Sequence, residues 1–286
     1  MPNDIIDGDP VFERFERARP AAVRDMLART PIAWVPLGAL EWHGEHAPLG
    51  LDSIKAAWIC EQAAARAGGV VFPAMSWGAF HTLRFPFTFR FGKRALRRQV
   101  RGALNQLADF GFHAIVFLTG HYPLAQLTML RAECRRVSAR RGVAAMGISE
   151  AMLATDIGYL GDHAAKWETS ILMAITPELV DLGALPTEPM TLDGRAARLG
   201  IFGIDPRTHA SADEGRRALE LIVPRLAEAA TRLLREGNTD AAEEIYARHA
   251  AALRPPIAAG KIAYGTDSAW EVVTFTLRSI WRNRHL

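Results

Sequence analysis

Cysteine, lysine and long apolar runs are all scarce in this chain of 286 residues, and each shortage excludes something. The only cysteines are Cys60 and Cys134, so at most one bridge could form and a disulfide scaffold is excluded. A reducing, cytoplasmic setting is expected. No run approaches the roughly 18 apolar residues that cross a bilayer. The stretch Met1 to Arg19 is charged and lacks the apolar core of a signal peptide, so no membrane partner is expected. Lysine occurs only at Lys55, Lys93, Lys166 and Lys261, and the remaining positive charge is arginine. The net charge of +3 is spread along the chain, which argues against a nucleic-acid partner. There is no phosphate-binding loop, dinucleotide fingerprint, internal repeat or low-complexity tract. A hydrophobic fraction of 49% and a mean hydropathy of +0.02 indicate a globular fold with a substantial core.

One stretch is unusually rich in chemistry. Residues 37–52 read Leu-Gly-Ala-Leu-Glu-Trp-His-Gly-Glu-His-Ala-Pro-Leu-Gly-Leu-Asp. The apolar run Ile32 to Leu37 before it reads as a buried strand. If the strand continues to His43, Glu41 and His43 point to the same side. The Gly and Pro residues that follow form a loop that can return Asp52 towards them. Converging oxygen and nitrogen donors of this kind suit zinc, manganese or iron. The plainer alternative is a set of loop residues making caps and solvent contacts.

Along the chain, strand and helix alternate. A helix is expected over Ala21 to Arg29, then the first strand, then a helix from Ser53 to Arg66 capped by Asp52. Val70 to Phe72 is a short strand. The aromatic segment holding Trp77, Phe80 and His81 reads as a pocket wall or as core lid residues in equal measure. Lys93 to Phe110 is a helix with a basic, solvated face. His113 to Leu118 is the clearest strand and ends at Thr119-Gly120-His121. Leu124 to Arg140 and Val143 to Ile148 complete another helix and strand. This alternation predicts an α/β fold, a three-layer α/β/α sandwich with a mostly parallel sheet. Ligands bind at the carboxyl ends of such strands, where Glu41, His43 and His121 sit. His163 and Glu168 fall at the start of a further helix, next to Trp167. Residues 178–211 are expected to be irregular, and Ala212 to Arg235 and Thr239 to Leu253 to be helices. In the tail, Trp270, Val273, Leu277 and Trp281 form an apolar helical stripe, although alternation there fits a strand equally well. The domain is expected to span 1–253, with 254–286 an extension packed on it or at a subunit contact.

Four segments together resemble the creatininase family of metal-dependent hydrolases, over roughly residues 20–237. They are Leu37-Gly38-x-x-Glu41-x-His43-Gly44-x-His46-x-Pro48-Leu49-Gly50-x-Asp52, Gly120-His121, Asp162-His163-Ala164-x-x-x-Glu168-Thr169-Ser170, and Gly203-x-Asp205-Pro206 with Ala210-Ser211 and Gly215. The resemblance implies one α/β domain with a metal centre of one or two divalent ions, usually in a homo-oligomer, acting on a small-molecule substrate. Carried onto this chain, it makes Glu41, Asp52 and His121 ligands of one ion, and His43 with the bridging Asp52 ligands of a second. His163 is the implied proton-transfer residue. His46 is read as a supporting residue rather than a ligand. Trp77, Phe80, His81 and Trp167 are the candidate substrate-pocket residues.

This chain departs from the family pattern in places. Creatininase proper has Glu two residues after the third-strand His, where Pro123 stands here. Glu168 is then the implied substitute ligand. The usual Asn before Gly-His is Thr119, and the usual Pro-Gly-Thr is Pro86-Phe87-Thr88. Phe87 is expected to fill pocket volume. These differences point away from creatinine itself as substrate and towards tight binding of only one ion. The expected activity is hydrolysis of a C–N bond in a small cyclic amide or formamide. The alternatives are a binding or assembly subunit that has lost the chemistry, or a metal hydrolase acting on a C–C or lactone bond.

Overall fold

A computed structural model describes residues 12–77 and 85–283, without the side chains from 279 onward. In chain order the elements are β1 (Phe12–Arg14), α1 (Pro20–Arg29), β2 (Ile32–Leu37), α2 (Leu51–Ala67), β3 (Gly69–Val71), α3 (Lys93–Asp109), β4 (Ala114–Thr119), α4 (Leu124–Arg141) and β5 (Ala144–Ser149). They continue with α5 (Lys166–Ile175), α6 (Leu192–Leu199), α7 (Pro206–His209), α8 (Ala212–Glu236), α9 (Asp240–Ala252), α10 (Pro256–Tyr264) and α11 (Ala269–Asn283). The five strands form one parallel sheet in the order β1-β3-β2-β4-β5.

Strands β2 to β5 are buried on both sides, and alternate residues feed two cores. From β4, Ala114, Val116 and Leu118 pack against α2, α8 and α9, whereas Ile115 and Phe117 pack against α3 and α4. That two-sided burial is why the strands read as continuous apolar runs rather than alternating ones. Pro36 lies inside a central strand, but β2 has its last partners on β3 at Ala33 and Trp34, so no ladder bond on that side is lost. Cys60 and Cys134 are both buried and free, one in each core. Among the described residues no helix is long and apolar enough to cross a membrane.

Four expectations change. The strand after Pro31 stops at Leu37 and does not reach His43. Asp52 does not cap α2; it sits within the first turn, with Gly50 at the N-cap. Residues 178–211 hold two helices, α6 and α7, each capped by a side chain: Thr191 accepts from Gly194 N–H and Asp205 from Arg207 N–H. In the tail, the helix is confirmed over the strand, but Trp270, Val273 and Leu277 are exposed while Val272 and Phe275 are buried. The side chain of Trp281 lies outside the described residues. The short strand β1, not expected from sequence, pairs with β3 and is tied to α2 by Arg14 and Glu61 at 2.7 Å.

Candidate metal centre

Strand order reverses between β2 and β4, because β3 lies on one side of β2 and β4 on the other. The crevice at the carboxyl ends of two such strands is where open parallel sheets bind ligands. Glu41 and His43 follow β2, His121 follows β4, and Asp52 rises from the first turn of α2 between them. Two glycines allow this approach. A Cβ on Gly38 would lie 2.4 Å from Ser53 Oγ and 2.5 Å from Ser53 N, and one on Gly120 would lie 2.2 Å from the Asp52 carbonyl oxygen. Both strand ends are therefore pressed directly onto the start of α2.

Glu41, Asp52 and His121 bring ligand atoms within 4.8 Å of one another, as do His43, Asp52 and Glu168, and Glu41, His43 and His163. His121 Nδ1 lies 2.9 Å from Glu41 Oε2 and 3.4 Å from Asp52 Oδ2. His43 Nε2 lies 3.3 Å from Asp52 Oδ1 and 3.6 Å from Glu168 Oε2. Asp52 thus faces one imidazole with each oxygen. Glu41 Oε2, His43 Nε2 and Asp52 Oδ2 are all buried without a hydrogen-bond partner. Buried carboxylates and imidazoles this close together need positive charge among them, which protons on the rings or a bound cation can supply. This donor set, two carboxylates with two imidazoles, fits a divalent ion such as zinc or manganese.

Hydrogen bonds fix which nitrogen of each ring is available. His43 Nδ1 is 2.8 Å from the Glu41 carbonyl oxygen, which can only accept, so Nδ1 carries the hydrogen and Nε2 faces the carboxylates. His163 Nε2 is 3.1 Å from the Trp42 carbonyl, which leaves Nδ1 as its basic nitrogen. Burial and the neighbouring His43 hold the His163 pKa below its ordinary value, so the ring is neutral near pH 7. Burial pulls His43 and His121 down too, but Asp52 acting on His43 and Glu41 on His121 outweigh it. The rings are held up to about 9 and about 10. Asp52 is pushed below the usual carboxylate range by the same two rings, against the effect of its burial. Positive charge is strongly favoured at this spot.

Glu168 comes to the site already engaged. Its Oε1 lies 2.5 Å from Lys55 Nζ and 2.9 Å from the Tyr122 hydroxyl, and its Oε2 accepts from Ala164 N–H at 2.8 Å. Ala164 adopts the left-handed conformation, φ 54°, a strain that non-glycine residues show mainly where the surroundings impose it. Lys55 is fully buried and also meets Glu150 Oε1 at 2.7 Å, which in turn accepts from the Tyr159 hydroxyl at 2.9 Å. Burial opposes the charge on Lys55, but Glu150 and Glu168 hold its pKa above the ordinary value. Sequence reasoning missed Lys55, Tyr122, Glu150 and Tyr159. The signal available was a lysine three residues after Asp52, on the same face of an otherwise apolar helix.

His46 is buried with its Nε2 3.0 Å from Thr169 Oγ1, and it belongs to none of the converging donor groups. Asp162 caps the start of α5 by accepting from Trp167 N–H at 2.7 Å and Glu168 N–H at 3.3 Å. A cavity of about 340 Å³ opens onto Glu41, Asp52, His121, His163 and Glu168. Trp167 does not line it; the ring is buried and stacks on Tyr159 at 5.4 Å. Trp77 is half exposed against Phe89 at 4.8 Å, also away from the cavity. Phe80 and His81 lie outside the described residues. Phe87 fills no pocket: it is 78% exposed with φ 52°, so a backbone shape suited to glycine turns its ring outward. Pro123 does line the cavity, at the N-cap of α4.

Known proteins resemble this chain in sequence and in fold. The family model of creatininase, described as creatinine amidohydrolase, matches residues 16–230. Creatinine amidohydrolase from Pseudomonas putida is 25% identical over 266 residues, covering 80% of this chain and 97% of that one. A mycofactocin precursor peptide peptidase from Mycolicibacterium smegmatis is 32% identical over 224 residues, covering 68% of this chain and 82% of that one. Among solved structures, a creatinine amidohydrolase superposes with a TM-score of 0.65 at 23% identity, over 78% of this chain and 97% of the other.

Proposed function

The chain belongs to the creatininase family, and from that premise we propose that it is a metal-dependent amidohydrolase. It would cleave the C–N bond of a small cyclic amide or formamide with one or two divalent ions. What carries the reading is the buried meeting of Glu41, His43, Asp52 and His121, two carboxylates and two imidazoles whose ligand atoms converge. When bound there, a divalent ion supplies acidity to a water and positive charge to a carbonyl oxygen.

The protein's own groups do the rest. Asp52 and Glu41 hold the negative charge that retains the cation. His43 presents Nε2 because the Glu41 carbonyl holds its other nitrogen. His163, neutral and fixed by the Trp42 carbonyl, takes a proton from water at Nδ1 and returns it to the departing amine. Glu168, clamped by Lys55 and Tyr122, offers one oxygen towards His43 and holds the Ala164 backbone next to His163.

Metal analysis after reconstitution with zinc or manganese tests the reading, followed by a screen of lactams and formamides. Wild type is expected to hold at least about one ion per chain, and Asp52→Ala to hold less. His163→Ala is expected to keep its metal and lose about 10²- to 10⁴-fold in kcat. Substoichiometric metal that Asp52→Ala leaves unchanged would favour a binding or assembly subunit instead.

A further inference from the structure

The family model ends at residue 230, but the cavity wall does not. Tyr264 at the end of α10 and Phe275 in α11 line the same cavity as Glu41, Asp52 and His121. These two helices form a close pair: a Cβ on Gly260 would lie 2.4 Å from Val272 Cγ1. The pair is seated firmly on the domain. Phe275 is buried among Leu192, Ala196, Phe202 and Tyr264. A Cβ on Gly265 would lie 2.8 Å from Ile204, and Arg278 pairs with Asp193 of α6.

The rings run in an unbroken series from the proton-transfer residue to this helical pair. Phe202 lies 6.0 Å from His163, Phe275 5.8 Å from Phe202, and Tyr264 4.9 Å from Phe275 in an edge-to-face arrangement. Phe202 is held beside His163 by two backbone hydrogen bonds of 2.9 Å, one in each direction. Among the described residues, α10 and α11 give the cavity two aromatic side chains and no charged one.

We propose that the α10–α11 pair is a specificity element. Through Tyr264 and through Phe275, which is buried behind Tyr264 and Phe202 and sets their positions, it selects amides that carry an apolar, ring-sized group beside the scissile bond. This rests on the metal-centre reading above. A purely polar substrate would leave the part-exposed rings of Phe202 and Tyr264 facing water, whereas a ring buries apolar area against both, with Phe275 packed behind them.

Hydroxamates test this without any turnover, because they chelate a divalent ion through two oxygens while carrying a chosen substituent. Zinc content is measured first, then the dissociation constants of acetohydroxamate and phenylacetohydroxamate for the zinc-loaded protein by calorimetry. Wild type is expected to prefer the phenyl compound by about tenfold or more. Phe275→Ala and Tyr264→Ala should lower that ratio several-fold, and the gentler Phe275→Leu keeps the test valid should the alanine variants melt early. Zinc uptake with no ring preference in wild type overturns the proposal alone, as does an equal loss of both ligands in every variant. Failure to take up zinc at all overturns the metal-centre reading and, with it, this one.

Discussion

Lys55 carries its charge with no exposure to solvent, between Glu150 and Glu168. Removing one member of such a buried group leaves the others uncompensated, at a cost of about 3–5 kcal/mol. Lys55→Met is therefore expected to lower the urea midpoint sharply, and Lys55→Arg to restore little, because a planar guanidinium cannot occupy an ammonium's position. His46 gives a pH effect of known sign. Burial first, then the nearby His43, lowers its pKa from 6.5 to about 4 in the folded chain. Between those values the unfolded chain binds a proton that the native one refuses. Stability is therefore complete above about 6.5 and is lost as pH falls towards 4, by up to about 1.4 kcal/mol per pH unit. Asp162, whose carboxyl burial and Glu168 hold up to about 7, acts in the opposite direction. The comparison that isolates His46 is metal-free wild type against His46→Asn: between pH 7 and pH 5 the wild-type midpoint should fall more steeply.

Among the elements, the contact between the end of β4 and the start of α2 sets the site. Gly120→Ala places a methyl 2.2 Å from the Asp52 carbonyl, and overpacking of this kind costs about 1–3 kcal/mol. Its effect on the site is expected to be larger, with metal content falling below one per chain while the far-ultraviolet circular dichroism stays native. Gly102→Ala in α3, where nothing lies within 4 Å of the new methyl, is the control and should stabilise by about 0.5–1 kcal/mol. These elements were legible in the sequence to different degrees. The parallel sheet and its crossover helices announce themselves because β2 to β5 are apolar runs and the crossover helices α2 and α4 end on Gly68 and Gly142. The ligand motif was legible because Glu41, His43 and Asp52 lie within one local stretch. The clamp on Glu168 was not, because Lys55 meets it across 113 positions of chain. Nor was β1, three residues whose strand character comes only from pairing with β3. Phe87 misled because residue type alone does not tell which way a left-handed backbone turns a side chain.

For the whole molecule, stability and metal content are coupled. An ion that binds only the native chain stabilises it by RT ln(1 + [L]/Kd), about 4 kcal/mol at a thousandfold excess over Kd. Treatment with a chelator should lower the melting temperature of wild type and leave that of Asp52→Ala unmoved; equal shifts in both would place the ion elsewhere. The cavity is shared between the α/β domain and the α10–α11 pair, so loosening that pair should alter ligand preference before it alters the sheet.

Gly38 and Gly120 clasp two strand ends to a single helical turn, and the side chains they deliver are buried except where the cavity reaches them. A captured ion would meet solvent only along the cavity that a substrate also enters. A molecule seated in that passage would then slow the ion's escape, so a well-supplied substrate would lengthen the stay of whichever cation loaded first.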